Sequence, residues 1–373
     1  MRRILFCTDS LMAGGTEQQL VELLTHLDRR QFEPCVVCLY AGRAGRSVHF
    51  LSRLQALNIP VFVLDLSWRA RGKMIGITQI IRLIWQLRPH IVQAVNYHSN
   101  LLLRLARPFL PFSLKLIGCV FVTYTPKQLR YERLSSFLCN AIACNSLHIK
   151  LHLPGHRRIV CIPNGVDTAR FSAPPRLEDC DQEGAEAQFV LLMLGRIARQ
   201  KAPHLIVEAL GRLKTLSELP SHVRLWIVGE REDQQAQSAV QNAVEQYGLQ
   251  SVVFQFPATN APECFYHAAD VTVLTSVFEG LPGVVLESLA AGCPMILSDA
   301  ANCANGVEHG VTGWVFRTGN VDDLKELLRT VLALPSCDLA LMRSACQLRA
   351  AAFPVTQMVE RYQNLYENLL SRS

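Results

Sequence analysis

The chain has 373 residues, half of them hydrophobic and 18% charged; this excludes a disordered chain and is enough material for two domains. Candidate apolar stretches such as residues 116–126 and 288–298 run only 11 residues, against the roughly 20 that a membrane-spanning helix needs. The first seven residues carry too short an apolar run for a secretory leader, so neither a spanning nor an exported protein is expected, and a cytoplasmic one is.

Thirteen cysteines, an odd number, sit mostly singly within apolar runs, as at Cys7, Cys119, Cys161 and Cys293. That is the pattern of buried thiols in a reducing compartment. Cys35 and Cys38 form a C-x-x-C. They lie in a strand-like run, however, where side chains three apart point to opposite faces, and no second C-x-x-C completes a zinc site.

The net charge of +6 conceals an asymmetry. Residues 1–165 carry 21 Lys and Arg against 7 Asp and Glu, a balance of +14, whereas the remainder carries 16 against 24, a balance of −8. The basic residues of the first part are interleaved with large apolar ones: Trp68, Arg69, Arg71, Lys73 and Met74, then Ile80, Arg82, Ile84, Trp85 and Arg88. Residues 101–115 repeat the pattern, with Arg104 and Arg107 among leucines and phenylalanines. Such a surface suits an anionic leaflet, at about 1 kcal/mol per basic residue. An anionic membrane surface is therefore an expected partner. Nucleic acid is not, because no zinc-finger spacing or RNP sequence is present.

In chain order, short apolar runs alternate with longer helical patterns. The first set is residues 4–7, 36–40, 61–64, 90–95, 116–122, 141–144 and 160–162; the second is 189–194, 225–228, 252–256, 271–275, 295–297 and 314–316. Near-continuous apolar runs with helices between them read as parallel strands buried on both faces. Two doubly wound α/β domains are predicted, over 1–165 and 189–354. Between them, residues 171–188 combine Ala173-Pro174-Pro175 with an acidic run and no apolar periodicity, so 166–188 is assigned as a linker. The D-x-D of Asp179 and Asp181 falls in that polar segment and is not read as a metal site. A last helix repeats Val355, Met358, Val359, Tyr362, Leu365, Tyr366 and Leu369, an amphipathic face expected to pack, with residues 355–373, back on the first domain.

Ligands of doubly wound sheets bind off the carboxyl ends of the strands. In the first such loop Gly14-Gly15 lets backbone approach a phosphate or sugar, and Thr16 with Gln19 forms a capping-box pattern that opens a helix. In the second domain, Gly195-Arg196 and Lys201 follow the first strand, and two cations in one loop suit a diphosphate. The segment 278–294, FEGLPGVVLESLAAGCP, holds Glu279, Pro282 at a first helical turn, and Glu287. Were the whole span helical, the two carboxylates would stand about 12 Å apart at ~1.5 Å per residue. That is too far to share a metal or to act as a glycosidase pair. It suits gripping two ends of an extended ligand, with the helix N-terminus and the backbone N–H groups of 280–283 on the anion between.

The E-x7-E of Glu279 and Glu287, with the G-R-x4-K of Gly195, Arg196 and Lys201, resembles the retaining GT-B glycosyltransferases of family 4. Residues 14–17, the IPNGVDTARF of 162–171, Val228-Gly229-Glu230 and the GVTGWVF of 310–316 are similar too. Together they span nearly the whole chain in family order. The resemblance implies two Rossmann-like domains facing across a cleft, with a UDP- or GDP-sugar donor held mainly by the second. It implies that Arg196 and Lys201 bind the donor diphosphate, Glu287 the ribose hydroxyls and Glu279 a hydroxyl of the transferred sugar. Gly195, Gly280, Leu281, Pro282 and Gly283 would line the donor, and Gly14 and Gly15 would close over it. Transfer with retention, with neither metal nor cofactor, is implied as well.

Some positions depart from the family pattern. Many relatives carry a histidine after the fifth strand, where residues 120–126, VFVTYTP, have none. His98, in NYHSN after the fourth strand, is the nearest candidate to contact donor sugar or acceptor. Ala202 and Ala258 stand where family members often have glycine. The expected activity is transfer of a hexose-type sugar to a membrane-proximal glycan or lipid-linked acceptor, on the inner face of the cytoplasmic membrane, in cell-envelope polysaccharide or lipopolysaccharide biosynthesis. The alternatives are a nucleotide-sugar epimerase of related architecture, against which the E-x7-E argues, and a non-catalytic nucleotide-sugar-binding scaffold. No G-x-G-x-x-G opens either sheet as in an oxidoreductase, and no G-x-S-x-G elbow marks a hydrolase.

Overall fold

The computed structural model describes residues 1–40, 49–64, 66, 70–155, 158–174 and 188–371, the side chains of 70–74 excepted. Each of the thirteen apolar runs coincides with or overlaps a strand. Arg2–Thr8 (β1), Phe32–Cys38 (β2), Val61–Val63 (β3), Ile91–Ala94 (β4), Lys115–Val120 (β5), Ala141–Cys144 (β6) and Ile159–Cys161 (β7) form one sheet. Phe189–Leu194 (β8), Val223–Val228 (β9), Val253–Phe256 (β10), Val271–Leu274 (β11), Met295–Ser298 (β12) and Gly313–Phe316 (β13) form the other. The strand orders are β3-β2-β1-β4-β5-β6-β7 and β10-β9-β8-β11-β12-β13. All the pairings are parallel. Each order reverses once, between β1 and β4 and between β8 and β11, and those reversals open the crevices where doubly wound sheets bind ligands.

The apolar runs of the central strands are continuous because both faces are covered, whereas the edge strands β3 and β10 leave Val63 and Phe254 exposed. Along β8 and β9, Leu191, Met193, Leu225 and Ile227 enter one core, while Val190, Leu192, Trp226 and Val228 enter the core on the other side. Cys35 and Cys38 of β2 divide between opposite faces in the same way.

The chain divides into two compact units, Met1–Gly165 with Val355–Ser373, and Val166–Pro354. The helix Val355–Leu370 buries Val355, Met358, Val359, Tyr362, Leu365, Tyr366 and Leu369 in the core of the first unit. Within it, the Tyr366 hydroxyl donates to Gln93 Oε1 at 2.7 Å, and the ring packs edge-on to Phe32. The segment assigned as linker starts with structured residues: Val166 and Phe171 are buried in the second unit's core, and Asp167 caps a short helix, Thr168–Ser172. Apolar residues drew that end of the segment inward. Asp179 and Asp181 lie outside the described residues, as do Trp68, Arg69 and the side chains of Arg71, Lys73 and Met74. No described helix is long and apolar enough to cross a membrane.

Candidate active site

In the second unit the loops after β8, β9 and β11 are tied to one another at the strand-order reversal. Val277 N–H donates to Gln200 O at 2.8 Å, Gln200 Nε2 to Phe278 O at 3.0 Å, and Thr275 Oγ1 bonds the carbonyls of Lys201 and Ala202. Ile197 N–H donates to Glu230 O, Asp233 N–H to Ile197 O, and Arg199 pairs with Asp233. Gly195 and Gly229, the residues after β8 and β9, sit at φ +141° and +153°. A Cβ on Gly229 would lie 2.0 Å from Gly195 O, so the carboxyl ends of these two strands approach closely only because Gly229 has no side chain.

This frame brings Lys201 to Glu279. Lys201 Nζ lies 2.7 Å from Glu279 Oε1, with the two side chains only 13% and 7% exposed. A largely buried ion pair of this kind holds its partners in a fixed geometry and makes each dependent on the other. Arg196, from the same loop as Lys201, pairs instead with Glu232 beyond β9. The two cations thus rest on different carboxylates.

The helix carrying Glu287 runs Gly283–Ala290, with Pro282 as its N-cap and no side-chain cap. Proline was expected in the first turn. It stands one residue earlier, in extended conformation, and Glu279, Gly280 and Leu281 precede the helix. The 12 Å helical separation of the two glutamates therefore does not apply, because Glu279 sits in the loop. Leu281 is buried beneath that loop.

Two contacts escaped the sequence reading. The Tyr266 hydroxyl donates to Glu287 Oε2 at 3.0 Å. Burial first, and then the Glu287 charge, hold that hydroxyl well above its ordinary pKa, so it remains a donor. The Cys303 thiol donates to Gly280 O at 2.9 Å and is pushed up to about 11 by burial and by Glu279. Neither residue had a sequence signal: Tyr266 lies in an apolar helix 21 residues before its partner, and Cys303 is one thiol among many.

In the first unit the corresponding reversal collects Asp9, after β1, and His98, after β4. Asp9 Oδ1 accepts from Ser99 N–H at 2.7 Å; Oδ2 accepts from His98 N–H at 3.1 Å and lies 3.0 Å from His98 Nδ1. Asp9 therefore both caps the helix Tyr97–Ala106 and fixes the imidazole. Sequence reasoning singled out His98 but not its partner Asp9, which is 89 residues away. Glu17 Oε1 bonds Ser10 Oγ and Asn96 Nδ2, each at 3.3 Å.

The glycine pair is placed differently from expectation. Gly14 is the N-cap and Gly15 the first residue of the helix Gly15–His26, so Thr16 is inside the helix and makes no capping box with Gln19. Gln19 instead exchanges two 3.1 Å bonds with the Gly165 backbone, a buried satisfaction that outranks a surface cap. Tyr124, in the stretch that has no histidine, is buried edge-on to Tyr97.

The same two halves are found in known proteins. Residues 13–170 match the family described as Glycosyltransferase Family 4, and residues 177–347 match Glycosyl transferases group 1. A D-inositol 3-phosphate glycosyltransferase of Pseudarthrobacter chlorophenolicus is 33% identical over 160 residues, 42% of this chain and 37% of the relative. A lipopolysaccharide 1,2-N-acetylglucosaminetransferase of Salmonella typhimurium is 29% identical over 161 residues, 41% of this chain and 42% of the relative. The chain spans about half or less of the length of the curated relatives it matches. Among solved structures, Anabaena HepE in complex with UDP-glucose superposes with a TM-score of 0.83 at 19% identity, over 99% of this chain and 100% of that one. At that identity the likeness establishes the fold, GT-B.

Proposed function

Since the chain belongs to the family 4, group 1 glycosyltransferases, we propose that it moves a hexose-type sugar from a UDP- or GDP-sugar to a membrane-proximal glycan or lipid-linked acceptor. The reading has transfer proceed with retention and without a metal, in cell-envelope polysaccharide or lipopolysaccharide synthesis, with the enzyme peripheral on the inner face of the cytoplasmic membrane.

The observation that carries it is the buried Lys201–Glu279 pair beside the reversal of the second sheet. A nucleoside diphosphate leaves as an anion, and breaking the bond from the anomeric carbon to the diphosphate needs preorganised positive charge at its oxygens. Lys201 and Arg196 supply it in this scheme, Glu279 holds a sugar hydroxyl, and Glu287 holds the ribose. The N–H groups of 280–283 (Pro282 excepted) and the backbone of Gly195 face the donor, and Gly14 and Gly15 close on it. The acceptor hydroxyl attacks the face the diphosphate leaves, with His98 near the sugar or the acceptor. HepE binds UDP-glucose, and the two curated relatives carry names that begin with a phosphorylated inositol and with lipopolysaccharide. A basic first part fits an anionic acceptor of either kind.

A thermal-shift titration with UDP, GDP and ADP, on the wild type and on Glu287→Ala, tests the donor site. A nucleotide at about 100 times its Kd adds about 2.7 kcal/mol. Stabilisation by one nucleotide, abolished in the variant, supports the reading and names the base; no shift with any of them ends it. Donor sugar converted without acceptor would favour the epimerase, and tight binding with no turnover the scaffold.

A further inference from the structure

At the amino ends of the central strands β1, β4 and β5, at the end of the first sheet remote from His98, lies a cavity of about 530 Å³. Arg2, Arg88 and His90 line it, with Trp85 and the apolar residues beside it, and among the described residues no carboxylate does. No described Asp or Glu pairs with Arg2 or Arg88. His90 Nδ1 accepts the Arg3 N–H at 3.1 Å, which leaves Nε2 as the ring's donor. Arg88 follows the helix Ala70–Leu87 at φ +46°, a position where helices ordinarily place glycine. A long cationic side chain is held there against its backbone preference.

The rim is apolar and faces water. Pro111 and Ser113 line the cavity, and Phe112 between them is 95% exposed. Phe109 and Trp85 are exposed as well, and Trp85 Nε1–H is engaged by Phe109 O at 3.2 Å. The indole thus presents its ring, with its polar group already satisfied. Cations in a pocket, ringed by exposed aromatics, match the boundary between headgroup and acyl chain of a bilayer.

We propose that this cavity seats the phosphate of an anionic phospholipid while Trp85, Phe109 and Phe112 enter the surface of the leaflet. It rests on the membrane-proximal reading above and narrows that reading to one face. The carbonyl end of the helix before Arg88 disfavours an anion, so recognition depends on the side-chain cations and salt weakens it.

The test is flotation of the full chain with phosphatidylcholine vesicles, with and without phosphatidylglycerol. The wild type is expected to float only with the anionic lipid. Arg2→Gln/Arg88→Gln should weaken binding by about fivefold for each charge, about 25-fold in all, with an unchanged melting temperature. Phe112→Ser should weaken it without changing the charge. Arg130→Gln/Arg133→Gln, on the separate helix Pro126–Ser135, should bind as the wild type does. Three results overturn the proposal: no flotation of the wild type, loss only in the Arg130/Arg133 variant, or cavity variants that float normally. Capture of free glycerol phosphate without vesicle binding would overturn it too, naming a soluble ligand. UDP or GDP thermal shifts on the same proteins separate this result from the donor site: a wild type that keeps the nucleotide shift but does not float sinks this inference alone.

Discussion

Lys201 and Glu279 are each more informative as partners than singly. Their separation from solvent means that removing one strands the other: a fully buried pair loses about 3–5 kcal/mol on such a change, and the residual exposure here reduces the expectation to about 2–3 kcal/mol. Lys201→Met and Glu279→Gln should each destabilise by that amount in urea titrations, whereas the double variant should recover at least half of it. Activity should not follow. Lys201→Met should lower kcat/KM by about 10²–10³-fold, the usual cost of one preorganised charge, and the double variant should stay there. An active double variant would make the pair purely structural. Tyr266→Phe probes the second carboxylate. Losing one hydrogen bond to a charged group costs about 1.5–3 kcal/mol, so the Kd for the preferred nucleotide should rise about tenfold or more by calorimetry. At this scale the sequence displayed the reactive residue types but not their pairing. Lys201 and Glu279 are 78 positions apart, Asp9 and His98 89, and no local period links residues that only a parallel sheet brings together.

The elements were readable where one physical rule dominated. A parallel strand covered on both faces must be apolar throughout, and the thirteen apolar runs fall on the thirteen strands among the described residues. Helix starts were less legible, because several rules compete within one turn. Thr16 and Gln19 satisfy a capping pattern, yet Gln19 gains more from the buried Gly165 backbone. Pro282 fits a first turn and an N-cap equally well in sequence. The loops at the carboxyl ends show the same limit: Gly195 and Gly229 read as two ordinary glycines, and only the fold shows that they touch. Gly229→Ala puts a methyl against the Gly195 carbonyl at a φ of +153°, where an L side chain is already strained. Unfolding free energy should fall by about 2 kcal/mol or more, in the range of other strained or overpacked sites. Gly310→Ala is the comparison: its φ is +79° with nothing within 4 Å, so it should show the backbone part of the cost, about 1–2 kcal/mol. Equal losses in the two variants would mean that the strand ends do not press together as described.

For the whole molecule, the division into units decides what each can do alone. Arg196, Lys201, Glu279 and Glu287 all belong to Val166–Pro354, with its own cores on both sides of its sheet. The first unit is not continuous in the chain. It needs the helix Val355–Leu370, whose seven buried side chains contribute at roughly 1.5–3 kcal/mol each. That is as large as the whole stability of a typical domain, about 5–15 kcal/mol. Residues 1–165 expressed without the helix should therefore fail to fold, giving no cooperative melting transition. Residues 166–354 should fold alone, because none of the described residues in their two cores comes from outside that span. If the donor reading is right, this fragment should bind the preferred nucleotide within about tenfold of the full chain's Kd, a difference of about 1.4 kcal/mol, and transfer no sugar. Calorimetry on the fragment decides it. A folded fragment that does not bind would mean that the nucleotide site depends on residues of the first unit, with Gly14 and Gly15 the first to examine.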